Sequence, residues 1–194
     1  MQRDAGIPLR FAARLLLAGM LAACIVALLD HANDADSSAG ALAAIKATNP
    51  QVKRFARMMM ADHHRLRNQG ADLARKLGVT PQPPVDDPIT PLALQGMDDL
   101  EAAAKGLDFG RTYIRHEIAA HRTVLDLADQ AHEAAGNAEL KAQIEQARPL
   151  LENHLKQAQA LEKGARHLRM TPHVILSPSA ALRAGSAKEP KRRR

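Results

Sequence analysis

Aromatic side chains are nearly absent from this sequence. They make up 2% of the 194 residues, with one tyrosine and no tryptophan, and β-branched residues are sparse beside abundant Ala and Leu. Strands prefer β-branched and aromatic residues, whereas Ala and Leu are strong helix formers. Since no useful length of sequence alternates polar and apolar residues with period two, we predict an all-α protein.

Cysteine is also scarce, because Cys24 stands alone and excludes a disulfide within one chain. The preceding residues complete the sequence LAAC, which is similar to the lipobox of bacterial lipoproteins, although an apolar run continues after it. Cys24 is therefore interpreted either as a lipidation site or as a small apolar residue of its segment.

A nucleophile with a matching base is missing as well. All serines lie in a polar linker or near the C-terminus, which argues against hydrolase chemistry. Enzymatic activity is left open, with the balance against it.

The net charge of +6 is concentrated at one end of the chain. From Arg169 onward there are seven Lys or Arg residues and one acid, so the remainder is close to neutral. We interpret residues 169–194 as a basic, disordered tail. Nucleic-acid binding is not expected, because the chain lacks the aromatic side chains and the fold signals that would support it.

The N-terminus has the pattern of an export signal. Arg3, Arg10 and Arg14 precede an apolar run from Leu15 to Leu29. This run is short for a membrane span of about 20 residues, so residues 1–32 are predicted to be a signal peptide or a transmembrane anchor. Either reading predicts a cell-envelope protein, periplasmic and secreted through or anchored in the inner membrane.

Helix breakers divide the rest of the chain into helices. We predict a first helix at Ala35 to Thr48, followed by helices at Pro50 to Leu77, Leu92 to Lys105, Phe109 to Ala135 and Ala138 to Leu168. The segment VTPQPPVDDPITP holds five prolines and is predicted to be a connecting loop. Residues 35–168 are thus expected to form an antiparallel four-helix bundle with a short crossover helix.

Polar residues interrupt the apolar stripes of three of these helices. His63 lies in the stripe of the second predicted helix, Glu117 and His121 in that of the fourth, and His154 in that of the last. Buried polar groups without partners are costly, at about 1 to 3 kcal/mol each. We therefore expect these four to converge, either in a hydrogen-bond network that includes Tyr113 or around a metal ion.

Three motifs carry a family resemblance. The segments GALAAIKATNPQVKRFARMMMADHHR, GLDFGRTYIRHEIAAHRTVLDL and RPLLENHLKQAQAL occur in this order over about residues 35 to 165. They resemble the bacterial exported ferritin-like family labelled domain of unknown function 4142, also called predicted outer membrane proteins. The resemblance implies a ferritin-like bundle but no settled activity.

The resemblance also singles out residues. The family's pattern of a methionine followed by Asp-His falls on Met59 or Met60 with Asp62 and His63, and a glutamate before a glycine is replaced by Asp36. Its Tyr and His on a later helix correspond to Tyr113 and His121, and its proline and histidine on the last helix to Pro149 and His154. The sequence departs from the family at Gly110, where the family has an acid.

Two functional hypotheses follow from these residues. The first is a metal-binding bundle, with His63, His121 and His154 as nitrogen ligands and Glu117, Asp36 and Asp62 as oxygen ligands. Imidazole and carboxylate groups suit iron, manganese or zinc, and copper is less favoured because helically spaced methionines are usually core residues. The second hypothesis is a structural or interaction module with a metal-free polar network, associated with the membrane through the N-terminal segment.

Overall fold

A computed structural model describes residues 9–170 as five α-helices, and this part of the chain contains no β-strand. The helices are α1 (Leu9–Lys46), α2 (Pro50–Leu77), α3 (Ile89–Ala102), α4 (Leu107–Ala134) and α5 (Ala138–Met170). The all-α prediction is confirmed. The predicted basic tail lies, from residue 171 onward, outside the described residues.

Capping side chains explain the boundaries that were predicted most closely. At the start of α2, the side-chain oxygen of Asn49 accepts a hydrogen bond from the backbone N–H of Gln51 at 2.8 Å. Pro50 is the first residue of α2, a position whose backbone N–H has no partner within the helix, so its absence removes no hydrogen bond. Asn137 caps α5 in the same way and accepts a hydrogen bond from the backbone N–H of Glu139 at 2.9 Å.

The short helix α3 begins at Ile89, three residues before the predicted start. The carboxylate of Asp87 accepts hydrogen bonds from the backbone N–H of Ile89 at 2.8 Å and from the Thr90 hydroxyl at 2.6 Å. This side chain stabilises the first turn of the helix despite the nearby prolines. Pro91 is tolerated because it lies within that turn.

Helix α1 corrects the prediction that the first helix starts at Ala35, since it begins at Leu9 and continues through the polar stretch DHANDADSSAG. The polar side chains of this stretch find partners without breaking the helix. Asn33 Nδ2 donates to the carbonyl of Leu29 at 2.6 Å, and Arg67 of α2 pairs with Asp30 at 2.9 Å and also with Asp34.

The four long helices pack in a ring, in which α1 contacts α2, α2 contacts α5, α5 contacts α4 and α4 contacts α1. The short helix α3 packs against α1 and α4. Gly40 allows α1 and α2 to approach closely, because a Cβ atom there would lie 2.9 Å from the carbonyl oxygen of Ala56. This approach brings the polar face of α1 near the interior face of α2.

Three apolar clusters fill the interior in succession along the helices. The first cluster contains Met59, Tyr113, Ile118 and Ala158, the second contains Leu66, Val124 and Leu151, and the third contains Leu73, Ala128, Leu140 and Ile144. The predicted stripes of α2, α4 and α5 run through all three clusters. The buried polar residues lie between the first and second clusters.

The N-terminal half of α1 belongs to this interior. Ala22, Ile25 and Val26 are buried in the third cluster with Leu140 and Ile144 of α5. By length and composition, the part of α1 from Leu17 to Lys46 is also long and apolar enough to cross a membrane. It is therefore suited to serve as a signal or an anchor, and it packs as a bundle helix from Ala22 onward.

Candidate metal centre

Helical periodicity places three histidines at one level of the bundle. His63 lies one turn from Met59 of the first cluster and from Leu66 of the second, and His121 and His154 lie at the corresponding level of α4 and α5. All three side chains are buried, with exposures of 1% or less. The prediction that these histidines face inward is confirmed.

The three imidazole rings meet at the centre of this level. Their centroids lie 5.4 Å apart for His63 and His121, 5.2 Å for His63 and His154, and 5.4 Å for His121 and His154. One ring nitrogen of each histidine lies within 4.8 Å of the corresponding nitrogens of the other two. The closest pair, His121 Nε2 and His154 Nδ1, are 3.4 Å apart.

Each ring has an oxygen acceptor beside its other nitrogen. His63 Nδ1 lies 2.8 Å from the Asn33 side-chain oxygen, His121 Nδ1 lies 3.0 Å from the Glu117 carbonyl, and His154 Nε2 lies 2.9 Å from Asp62 Oδ2. Asn33 presents its oxygen to His63 because its amide nitrogen already donates to Leu29. Each of these ring nitrogens therefore carries the proton and donates.

The consequence is a convergence of lone pairs. When the rings are neutral, the second nitrogen of each ring carries no proton. These unprotonated nitrogens, which face one another, are His63 Nε2, His121 Nε2 and His154 Nδ1. His121 and His154 then cannot hydrogen-bond across their 3.4 Å separation, since neither facing nitrogen has a proton to donate. His63 Nε2 is buried and has no hydrogen-bond partner within residues 9–170.

Burial keeps these rings neutral. It lowers the pKa of His121 to about 4, with a further contribution from His154. Burial also lowers the pKa of His63 well below its usual value, as do its two histidine neighbours. The pKa of His154 is lowered by burial too, against the opposing effect of its hydrogen bond to Asp62.

One pair of these nitrogens has the separation of two ligands on a single metal ion. Two nitrogen ligands at about 2.1 Å from one ion with tetrahedral angles stand about 3.4 Å apart, which is the separation of His121 Nε2 and His154 Nδ1. Metal-bound histidines usually donate their second N–H to a carboxylate or a carbonyl group, which fixes the tautomer and the ring orientation. The oxygens of Asn33, Glu117 and Asp62 provide such acceptors here.

Two buried carboxyl groups adjoin the histidines. Asp36 Oδ2 lies 3.6 Å from the unprotonated His63 Nε2, and Glu117 Oε2 lies 3.5 Å from His121 Nδ1. Asp36 is 2% exposed and Glu117 is 0% exposed. In the part of the chain that the structure describes, no Lys or Arg is buried. Their negative charges consequently lack a buried cationic side chain as a partner.

The lack of a counter-charge is reflected in the protonation of these groups. Burial raises the pKa of Asp36 to about 7. It also raises the pKa of Glu117 well above its usual range, with a further rise from the Asp36 charge. Among the described residues, neither Glu117 oxygen forms a hydrogen bond of ordinary geometry, although the Tyr113 hydroxyl interacts with this carboxyl group and opposes part of the rise in its pKa. A cation at this position would stabilise the charged carboxylates.

The structure brings all six predicted ligand residues to this region, in different positions. Asp36 and Glu117 lie on the inner side of the cluster, whereas Asp62 lies behind His154 and also pairs with Arg65 at 2.7 Å. His64, next in sequence to His63, is exposed. Thus the adjacent His63 and His64 differ completely in their environments.

Sequence reasoning missed two residues of the cluster. Asn33 precedes Asp36 by three residues on α1, so a continuous helix would have placed both on one face. His116 was expected on the flank of α4, but one of its ring nitrogens lies within 4.8 Å of carboxylate oxygens of Asp36 and Glu117. Helical spacing offered a signal for His116, because it follows the buried Tyr113 by three residues and precedes the buried Ala120 by four.

Comparison with known proteins identifies the family of this chain. Neither the curated proteins nor the solved structures contain a match to the chain. A family model described as a domain of unknown function, DUF4142, matches residues 18–161, which include α2, α3, α4, most of α1 and α5, and every residue of the buried cluster. The chain therefore belongs to the DUF4142 family of domains of unknown function.

Proposed function

We propose that this protein is an exported, ferritin-like helical-bundle protein that binds a transition-metal ion at His63, His121 and His154. The observation that carries the proposal is the convergence of three unprotonated imidazole nitrogens, one from each ring. The other nitrogen of each ring donates a hydrogen bond to an oxygen acceptor. Such an arrangement supplies lone pairs without a donor, which a cation satisfies. The ring of four long helices, with α3 as the crossover, supports the ferritin-like assignment.

Asp36 is assigned as the fourth ligand of this ion. Its Oδ2 atom lies 3.6 Å from His63 Nε2, the nitrogen that is free to bind metal. Asp62 is assigned to the orientation of His154 through their 2.9 Å hydrogen bond. When bound, the ion would supply Lewis acidity or, in the case of iron or manganese, redox chemistry.

The ligand set favours iron, manganese or zinc over copper. Imidazole and carboxylate groups suit these three metals, whereas thioethers favour copper in its reduced state. Met59 is fully buried in the first apolar cluster, which supports its interpretation as a core residue.

A cavity supports access of an ion to this position. It has a volume of about 40 Å³, which is enough for a water molecule. Asp36 and His63 line its buried part, and the partly exposed Asp30 and Arg67 line it nearer the surface.

Metal analysis of the full chain tests the proposal. The protein is purified with a cleaved, histidine-free tag and without chelators, and bound metals are measured by mass spectrometry. We expect at least one equivalent of transition metal, lost in His121→Ala and retained in the matched control His64→Ala, which changes an exposed histidine. Substoichiometric metal that does not change on replacing His63, His121 or His154 would favour the structural module with a metal-free network.

We also propose that any processing of the N-terminus occurs no later than Cys24. Ile25 and Val26 are buried against Leu140 and Ile144, so cleavage near residue 32 would open the third cluster to water. Cleavage directly before Cys24 would keep the contacts of Ile25 and Val26 and remove that of Ala22, whereas an uncleaved anchor would keep all three. Envelope localisation through this segment is supported by the Arg3, Arg10 and Arg14 pattern that precedes it.

The mature N-terminus tests this proposal. Intact-mass measurement of protein recovered from a bacterial envelope fraction should give a chain that begins at or before Cys24. A folded, metal-binding protein that begins after Cys24 would contradict it.

A further inference from the structure

We propose a second metal position, formed by Asp36, His116 and Glu117, beside the three-histidine position. The inference rests on the proposed function and extends it from one ion to two. A ligand atom from each of these residues lies within 4.8 Å of the other two. Two carboxylates and one imidazole form a ligand set suited to divalent manganese, iron or zinc.

The packing of α3 directs His116 toward this position. The ring lies against Gly96, where a Cβ atom would come within 2.1 Å of His116 Cε1 and 2.3 Å of Nδ1. Only a residue without a side chain allows the imidazole to occupy this space between α3 and α4. The ring is thereby held beside Glu117 although it starts from the flank of α4.

Glu117 supplies independent evidence that a ligand belongs here. The side chain is fully buried, and neither carboxylate oxygen has a hydrogen-bond partner among the described residues. The nearby Tyr113 hydroxyl is also buried, and it interacts with the Glu117 carboxyl group without forming a hydrogen bond of ordinary geometry. Buried polar atoms in folded proteins are normally satisfied, so a buried carboxyl group without a well-formed hydrogen bond indicates a missing ion or water.

Asp36 connects the two positions. It lies 3.6 Å from His63 Nε2 and also belongs to the group with His116 and Glu117. A carboxylate has two oxygens, and each can bind a different ion. Asp36 would therefore bridge two ions, with three imidazoles completing the first position and Glu117 and His116 completing the second.

Metal stoichiometry tests this inference. The metal-free full chain is titrated with Zn²⁺, and bound zinc is counted after removal of free ions. We expect two equivalents for the unmodified chain, and one equivalent for both His116→Ala and Glu117→Gln. The matched control His64→Ala should retain two. In a parallel titration with Mn²⁺, the unmodified chain should show the electron paramagnetic resonance spectrum of an interacting Mn²⁺ pair.

The variants also allow failure of folding to be recognised. Far-ultraviolet circular dichroism and thermal melting of each metal-free variant establish that the helices are retained. Glu117→Gln preserves the volume of the side chain, so it reports on the second position even if His116→Ala disturbs the contact with Gly96. We expect both variants to keep the first ion and to lose the signal of the pair.

The outcomes separate this inference from the function on which it rests. One equivalent of zinc in the unmodified chain would overturn the second position and leave the three-histidine position standing. The absence of any bound zinc would overturn both. Two equivalents retained in folded His116→Ala and Glu117→Gln variants would overturn the assignment of these residues, as would the loss of both ions from folded variants.

Discussion

Replacing Asp36 with asparagine should stabilise the metal-free protein at alkaline pH while weakening its binding of metal. Asp36 is 2% exposed, and burial raises its pKa from 3.8 to about 7. Asparagine has nearly the same size and stays neutral at every pH. The substitution therefore removes the cost of a buried charge without opening a cavity.

The sign and size of the effect follow from the protons bound by each state. Between pH 3.8 and about 7 the folded protein keeps a proton on Asp36 that the unfolded chain releases. The free energy of unfolding then falls by about 1.4 kcal/mol for each pH unit in this window, and Asp36 adds no further change above it. From pH 5 to pH 8 the loss caused by Asp36 is about 3 kcal/mol.

Urea denaturation of the chelator-treated full chain at pH 5 and pH 8 measures this loss. The stability of Asp36→Asn relative to the unmodified chain should rise by about 3 kcal/mol between the two conditions. Asp72→Asn, at an exposed carboxylate, is the matched control and should show no comparable change. A difference for Asp36→Asn that is equal at pH 5 and pH 8 would refute the reasoning. Saturating Zn²⁺ should reverse the order, because the unmodified chain binds it more tightly.

Three further perturbations probe the same bundle. Because burial lowers the pKa of His121 from 6.5 to about 4, the metal-free protein should lose stability as the pH falls through this window. The substitution His121→Gln should reduce the loss between pH 6.5 and 4.5 by about 2 kcal/mol in urea denaturation. Met59→Ala empties a fully buried site and should lower the unfolding free energy by about 2 to 5 kcal/mol, whereas an unchanged midpoint in urea would contradict its place in the core. Lys46 Nζ donates to the carbonyl of Leu100 at 3.2 Å and lies 5.1 Å from the centre of the Phe109 ring. Thermal unfolding should therefore show that Lys46→Ala lowers the free energy of unfolding by about 1 kcal/mol and that Lys46→Arg lowers it less.

Local chemistry made much of the fold predictable. The bounds of α2 and α5 follow from Asn49 and Asn137, whose side chains cap the next helix, and helical periodicity identified the stripes that contain His63, His121 and His154. The prediction failed at the start of α1, where a polar stretch was read as a break. Its side chains find partners on α2, above all Arg67, and such partners are not visible in the local sequence.

The sequence by itself determined that His63, His121 and His154 face the interior, because a period of 3.6 residues assigns each side chain an angle around its own helix. Only the tertiary structure decided which of their nitrogens face one another, and which residues join them from other helices. Asn33 reaches His63 from α1, Asp62 lies behind His154, and His116 turns inward because Gly96 of α3 leaves room for its ring. These relations depend on distances and rotations between helices, which arise from packing and cannot be derived from the periodicity of any one helix.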